Sequence, residues 1–214
     1  MAVTDYMSKD LITITPDEHI NKALDIMKGH QINQIPVLKE GKLKGLITRE
    51  DIAAAMPSTS TSLSVYEVSY LISKAQISDV MEKNVATISS QAQLEDAVKI
   101  LRDQNINVLV VVDNEAVKGI LTKNDIFDAF LQIAGYDLLD SLFLRVKVVK
   151  DDKGVIAHLG SVLAENDFSI LNLVVLRHPS ERVLELHVKG QDVPKLTAAL
   201  TSEGFDLEEI HAVG

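Results

Sequence analysis

Gly45-Leu46-Ile47-Thr48-Arg49-Glu50-Asp51 returns 74 positions later as Gly119-Ile120-Leu121-Thr122-Lys123-Asn124-Asp125, with Gly, Thr and Asp in register. Two chemistries fit that spacing. In the first, each threonine caps a helix that begins after it, and the aspartate three residues on closes a capping box whose role is stability alone. In the second, the free N–H groups and positive dipole end of that helix meet a phosphate, aided by the threonine hydroxyl and by Arg49 or Lys123. The aspartate then accepts from the paired hydroxyls of a ribose, and Gly45 or Gly119 leaves open backbone for the ligand. Phosphate donor, ribose acceptor and open backbone together point to a nucleotide.

Either chemistry needs a strand that ends where a helix begins, and the surrounding pattern supplies one twice. Residues 3–52 align with 77–126 without a gap, and 15 of the 50 positions are identical, among them Asp5/Asp79, Met7/Met81, Thr13/Thr87, Ala23/Ala97 and Asn33/Asn107. That makes two copies of one unit. Each copy reads as a short β-branched run ("LITIT", "VATIS"), a helix, two apolar runs joined by a turn, and a second helix, or β-α-β-β-α. "TPDE" predicts the start of the first helix, with Thr15 as N-cap, Pro16 at N1 and Glu18 closing the box. Its apolar stripe is Ile20, Ala23, Leu24 and Met27, repeated as Leu94, Ala97, Val98 and Leu101. "KEGK" at 39–42 and "DNEA" at 113–116 are hairpin turns. A unit of about 50 residues is too small to bury its own core, so packing against its twin is expected.

The expected domain boundaries are 1–56 and 77–135 for the copies, with a linker at 57–76. That linker opens as a Ser/Thr tether and then offers a capping box, Ser64 to Glu67, for a short docking helix carrying Tyr66, Tyr70 and Leu71. A third unit occupies 141–214. "SLFLRVKVV" alternates as a strand, "GVIAHLGSVLAEN" follows as a helix, and "SILNLVVLR", "RVLELHVKG", a helix from Asp192 and "LEEIHAV" complete a ferredoxin-like β-α-β-β-α-β order. The whole is of the α/β (α+β) class.

Composition removes several function classes. With no cysteine there is no disulfide, thiol nucleophile or thiolate metal site. A net charge of −10 argues against binding nucleic acid or anionic lipid, which needs clustered Lys and Arg. No apolar run approaches membrane-spanning length and "MAVTDYMSKD" does not read as an export signal, so a cytoplasmic protein without membrane insertion is expected. The histidines at 19, 30, 158, 178, 187 and 211 form no metal-binding pair, and the common phosphate-loop, dinucleotide and nucleophile-elbow motifs are missing. No catalytic residue, metal or catalytic cofactor is therefore expected, and the protein is read as a non-enzyme.

The β-α-β-β-α unit ending in Gly-x-x-Thr-x-x-Asp resembles the CBS domain, named after cystathionine β-synthase. The Ile-Asn-Gln-Ile-Pro-Val run at 32–37 is also similar to that family's pattern. The resemblance implies a tandem pair that binds adenosine compounds in clefts between the copies. The implied contacts are Thr48, Asp51 and Gly45 in one copy and Thr122, Asp125 and Gly119 in the other, with Thr13, Arg49 and Lys123 as further candidates. AMP, ADP, ATP, S-adenosylmethionine and cyclic di-AMP are the implied ligands. Copy two departs from the pattern, with Val108-Leu109-Val110 where copy one has Gln34-Ile35-Pro36. The nearby cations are His30, Arg49 and Lys123, which suits a monophosphate or plain nucleoside better than a polyphosphate.

The third unit resembles an ACT domain, which implies an amino acid bound at the loop after its first strand. Asp151, Asp152 and Gly154 are the candidates there, with Ser169 and Asn172 on the next strand. The combination is similar to the bacterial acetoin-utilisation (AcuB-like) family, which implies a homodimeric regulatory sensor linked to acetoin metabolism. Two other readings stay open: a ligand-free dimerisation or interaction module in which both motifs are only helix caps, and an enzyme subunit with unrecognised chemistry.

Overall fold

The computed structural model describes residues 1–55, 74–148, 153–179 and 181–214. The chain divides into two compact units, Met1–Ile126 and Phe127–Gly214. The expected linker helix, with Ser64, Glu67, Tyr66, Tyr70 and Leu71, lies outside the described residues, as do Asp151 and Asp152.

In the first unit, helix α1 (Ile20–His30) precedes strands β1 (Gln34–Lys39) and β2 (Lys42–Thr48) and helix α2 (Arg49–Ala55). The second repeat contributes α3 (Ile77–Val80), β3 (Thr87–Ile88), α4 (Leu94–Asp103), β4 (Val108–Asp113), β5 (Ala116–Thr122) and α5 (Lys123–Ala134). The strands form one five-stranded sheet in the order β1-β2-β5-β4-β3, and its two hairpins join at the single pair Lys42↔Ala116. The hairpins turn where expected, at 39–42 and 113–116, each through two residues with positive φ, Glu40-Gly41 and Asn114-Glu115. Both carry the same register irregularity, between Val37 and Leu38 and between Val111 and Val112.

Alternation along the strands separates two faces. Ile35, Val37 and Ile47 point towards α1 and α2, where they are fully buried with Ile20, Ala23, Met27 and Ile52, confirming the expected stripe of α1. Leu46 faces the other way and packs with Val108 and Val110 of the second repeat. Burying each such aliphatic side chain is worth about 1.5–3 kcal/mol, and the cluster around Leu46 draws on both repeats.

Two expectations from the sequence are corrected. "TPDE" does not begin α1: Glu18 N–H donates to Thr15 O and Thr15 N–H to Glu18 Oε2 in a separate turn, and the helix starts at Ile20. The reason lies in the other repeat, because Glu18 O accepts from Ile77 N–H and His19 bridges Gln76, which holds His19 extended ahead of the helix. The strand expected in "LITIT" is reduced to one bridge, Ile14↔Val37, whereas its counterpart β3 pairs twice. In the second repeat Val110 N–H donates to Ala86 O at 3.1 Å. The matching residue in the first repeat is Pro36, which has no N–H to give.

In the second unit, β6 (Ser141–Val148), α6 (Val155–Glu165), β7 (Ser169–Arg177), β8 (Arg182–Lys189), α7 (Val193–Ser202) and β9 (Asp206–Val213) form the expected ferredoxin-like order, with a sheet arranged β7-β8-β6-β9. Leu142, Leu144, Val146, Leu184, Leu186 and Val188 meet Leu159, Leu163, Leu196 and Leu200 of the two helices. The α5 residues from Phe127 on are counted with this unit, in which Asn172 Nδ2 donates to Ile133 O at 2.7 Å and Gly135 lies against the His187 ring.

Candidate functional site

Thr48 is the last residue of β2 and sits opposite Gln34. Its backbone N–H and its hydroxyl both donate to Asp51 Oδ2, at 2.9 and 2.6 Å, and Asp51 N–H donates back to Thr48 Oγ1 at 3.1 Å. Thr122 and Asp125 repeat the arrangement at 2.6, 2.7 and 3.3 Å. Both are closed capping boxes, so the stability reading of the motif is realised. One further first-turn amide is also taken, since Arg49 N–H donates to Asn33 O and Lys123 N–H to Asn107 O. What remains open at each helix start is the amide of Glu50 or Asn124 and Oδ1 of the aspartate, none of which has a protein hydrogen bond among the described residues. Arg49 is exposed, Lys123 is half-buried, and neither makes an ion pair among the described residues. Among the described residues, each junction thus offers one amide donor, one carboxylate acceptor and one cation without an ion pair.

Strand register places Thr13 with them in part. By analogy with Thr87↔Val110, Thr13 stands beside Pro36, on the same sheet face as Thr48 and Gln34. That is the face turned towards the other repeat. The strands β2 and β5 run in opposite directions away from the Lys42↔Ala116 pair, so Thr48 and Thr122 end up at separate places and define two sites.

The glycines are placed differently from the open backbone expected of them. A Cβ on Gly45 would stand 2.6 Å from Met81 Sδ and 2.8 Å from Glu82 O, and one on Gly119 would stand 2.7 Å from Ser8 O and 2.9 Å from Met7 Sδ. Backbone of the other repeat therefore fills the space beside each glycine. Leu46 and Glu82 exchange two backbone hydrogen bonds, both 2.9 Å, and Ser8 and Ile120 do the same at 2.9 and 3.1 Å. Upstream, Val3 N–H donates to Ala92 O and Ile77 N–H to Glu18 O. The leading segment of each repeat thus docks on the other. The repeated Asp5 and Asp79 accept from the N–H groups of Ala2 and Gln76 and cap these leading turns. Sequence reasoning saw the identities at 5/79, 7/81 and 33/107 but assigned them no role; their recurrence in both copies was the available signal.

The amino-acid candidates in the second unit do not converge. Gly154, with φ 95°, immediately precedes α6. β6 and β7 run parallel with α6 as the crossover, so Gly154 lies beyond the end of β6 while Ser169 pairs across Lys189 with Ser141 at its beginning. The length of β6 separates them, about 23 Å at ~3.3 Å per residue, and Asn172 is already committed to Ile133 O. The polar cluster of this unit is elsewhere. Ser141 Oγ donates to Leu138 O at 2.5 Å and pairs with His187 Nδ1 at 3.1 Å, while Phe143 contacts the rings of His187 and His211. Burial holds the His187 pKa below its ordinary value, with nearby His211 acting in the same direction and Glu185 opposing. No group of metal ligands occurs among the described residues, and no described helix is long and apolar enough to cross a membrane.

The family model of the CBS domain matches residues 3–58 and 77–132, more than half of the chain, and the chain belongs to the CBS domain family. Among curated proteins it is 28% identical over 125 residues to the CBS domain-containing protein YhcV of Bacillus subtilis, covering 58% of this chain and 82% of that one. Among solved structures, an acetoin utilization protein (AcuB) from Vibrio cholerae shares the fold at a TM-score of 0.55 and 23% identity, over 64% of this chain and 96% of that one. The CBS domain pair of protein MJ0100, in complex with 5'-methylthioadenosine and S-adenosyl-L-methionine, is 32% identical at a TM-score of 0.51, over 61% of this chain and 99% of that one.

Proposed function

We propose that the protein is a non-catalytic regulatory sensor whose CBS pair binds an adenosine derivative. The observation that carries this reading is the pair of strand-to-helix junctions, each with an aspartate Oδ1, a first-turn amide and a flanking cation uncommitted among the described residues, in a pair 32% identical to one that holds two adenosine derivatives. Asp51 and Asp125 accept from the ribose hydroxyls, and the amides of Glu50 and Asn124, with Thr48, Thr122, Arg49 and Lys123 nearby, face the ligand's 5' side. Thr13 borders the first cleft. Gly45 and Gly119 act through shape, by letting the repeats close. One open amide and one cation per site favour a nucleoside, a sulfonium or a monophosphate over a triphosphate.

The sensor works as a cytoplasmic homodimer, and its C-terminal unit is read as an ACT domain whose amino-acid site, if used, is confined to the start of α6 around Gly154. A link to acetoin metabolism follows from the AcuB resemblance. Calorimetric titration of 5'-methylthioadenosine, S-adenosylmethionine, AMP, ADP, ATP and cyclic di-AMP tests the reading. Saturable heat that Asp51→Ala or Asp125→Ala abolishes is the expected result. Silence across the panel, on protein shown to carry no nucleotide from purification, would leave two capped helices and overturn it.

A further inference from the structure

The sheet of the second unit turns a polar, ion-paired face away from α6 and α7, with Arg145 on Glu185 and Lys147 on Glu181, yet one ring on that face is buried. His187 alternates with Leu186 and Val188, which meet the helices, so it points the other way, and it is only 7% exposed. Its cover is the stretch 133–140, the end of α5 and the turn into β6. That stretch is anchored at three places across the order β7-β8-β6-β9. Asn172 Nδ2 of β7 donates to Ile133 O at 2.7 Å, Ser141 Oγ at the head of β6 donates to Leu138 O at 2.5 Å, and Asp140 N–H donates to Val213 O of β9 at 3.1 Å. The result is a strap from one edge of the sheet to the other, with the His187 ring beneath it: a Cβ on Gly135 would stand 2.9 Å from His187 Cδ2.

Apart from its anchors the strap has little hold. Gly135 is its one buried residue, Ala134 and Leu138 are half-buried, and Tyr136 and Leu139 are exposed. Segments with so few buried apolar contacts open at the low end of a protein's local free energies. The hydrogen bonds beneath it also assign the ring. Ser141 Oγ has one proton, given to Leu138 O, so its 3.1 Å contact with His187 Nδ1 requires that nitrogen to donate. The neutral ring is therefore the Nδ1–H tautomer, and its Nε2 has no protein hydrogen bond among the described residues.

We propose that His187 is the proton-operated catch of this strap: protonation at Nε2 favours a lifted state in which residues 133–140 leave the sheet and the charged ring reaches water. The groups around the ring offer the charge no partner. Glu185, two positions along β8, is taken by Arg145 at 2.8 Å, and His211 of β9, across the Phe143 ring, is held by Glu209 at 3.2 Å. β7 presents the uncharged Asn172. Lys189 on β8, Asp137 and Asp140 on the strap, and Asp125 and Asp128 on α5 make no ion pair with the ring among the described residues. Burial, and then His211, hold the His187 pKa below its ordinary 6.5 against the pull of Glu185. The closed strap thus leaves the ring neutral where the lifted one lets it protonate, so the lifted fraction grows as pH falls through 6.5 and levels off below the closed ring's lower value.

Hydrogen exchange of the full chain between pH 8 and 5, read by mass spectrometry and corrected for the intrinsic pH dependence of amide exchange, tests this. The expected result is that the amides of Tyr136, Leu138 and Asp140 lose protection on acidification, by up to about thirtyfold, while the β6–β8 ladder keeps its own. His187→Gln should make strap opening independent of pH, and His211→Gln should leave the dependence in place. Should His187→Gln lose its fold, nitrogen NMR of the histidine rings in the wild-type chain decides: a neutral His187 carrying its proton on Nδ1 and titrating below 6.5 is expected. Strap protection that is flat with pH, a slope that survives His187→Gln, or a neutral ring protonated on Nε2 would each overturn the proposal.

Discussion

Gly45→Ala separates two roles for the glycine that the sequence could not. If the residue leaves room for a ligand, the added methyl weakens binding and leaves folding intact. If it lets the repeats approach, the methyl destabilises the protein with no ligand present. The structure favours the second role and sets its size. The new Cβ meets Met81 Sδ at 2.6 Å and Glu82 O at 2.8 Å, where ordinary contact begins at 3.4 Å. The thioether can swing away at little cost. The carbonyl cannot, because it accepts from Leu46 N–H at 2.9 Å and sits in the strap that docks one repeat on the other. Opening that approach by about half an ångström is an overpacking event, costing ~1–3 kcal/mol, against ~0.5–1 kcal/mol gained by replacing glycine within a strand. The net expectation is a loss of up to about 2.5 kcal/mol, near 1 at the middle of the two ranges, read as a lower urea midpoint at constant slope. Gly119→Ala, facing Ser8 O at 2.7 Å, should behave alike. Gly29→Ala, with nothing within 4 Å of its Cβ on α1, should not destabilise and serves as the control. A Gly45→Ala protein as stable as wild type would refute the close-approach argument.

Two further predictions concern pH. Asp113 accepts from Ser89 Oγ and Ser90 N–H, and the two serines hold its pKa below the usual 3.8; the stabilisation is present above that value and is lost as pH falls through the lower folded value. Asp113→Asn should therefore flatten the acid limb of the stability profile, and an unchanged limb would count against the cluster. His187 is 7% exposed, with its pKa held below 6.5 chiefly by burial, so the unfolded chain binds the proton more readily and stability falls as pH drops below about 6.5. His187→Gln should remove that slope, measured by urea unfolding between pH 5 and 8.

Much of the fold was legible because it is periodic. The 74-residue offset carried the two hairpins, the places of their turns and the α1 stripe, and alternation carried the strands of the second unit. What failed was local reasoning at places that a distant segment controls. Thr15-Pro16-Asp17-Glu18 is a sound N-cap signal, yet Ile77 and Gln76 of the other repeat bond Glu18 O and His19, keep His19 extended and delay the helix. Pro36 removes a ladder donor, which composition alone announces, but its consequence becomes visible only once Val110 and Ala86 are seen to bond in the twin. At the candidate sites the sequence located the Thr and Asp pairs and their helix starts. It misassigned the space beside Gly45, since no local pattern reveals that Met81 occupies it.

The capping box and the ligand site are compatible uses of one geometry. Capping consumes Oδ2 of each aspartate, the threonine hydroxyl proton and the amide of the aspartate itself. A ribose and a polar 5' substituent would use Oδ1 and the amide one residue earlier. Binding therefore need not open the cap, and the cap orients the carboxylate before the ligand arrives, which lowers the entropy lost on binding. The same closure limits how occupancy can be signalled. A ligand shifts a conformational equilibrium only by its difference in affinity for the two states. The two repeats are tied by reciprocal strands at Leu46/Glu82 and Ser8/Ile120 and by the buried Val3 and Ile77. Separating them would expose two apolar side chains worth ~1.5–3 kcal/mol each as well as break four backbone hydrogen bonds worth ~1 kcal/mol apiece. That exceeds the ~1–3 kcal/mol of a typical allosteric coupling. Whatever a bound adenosine derivative changes, it changes with the pair closed.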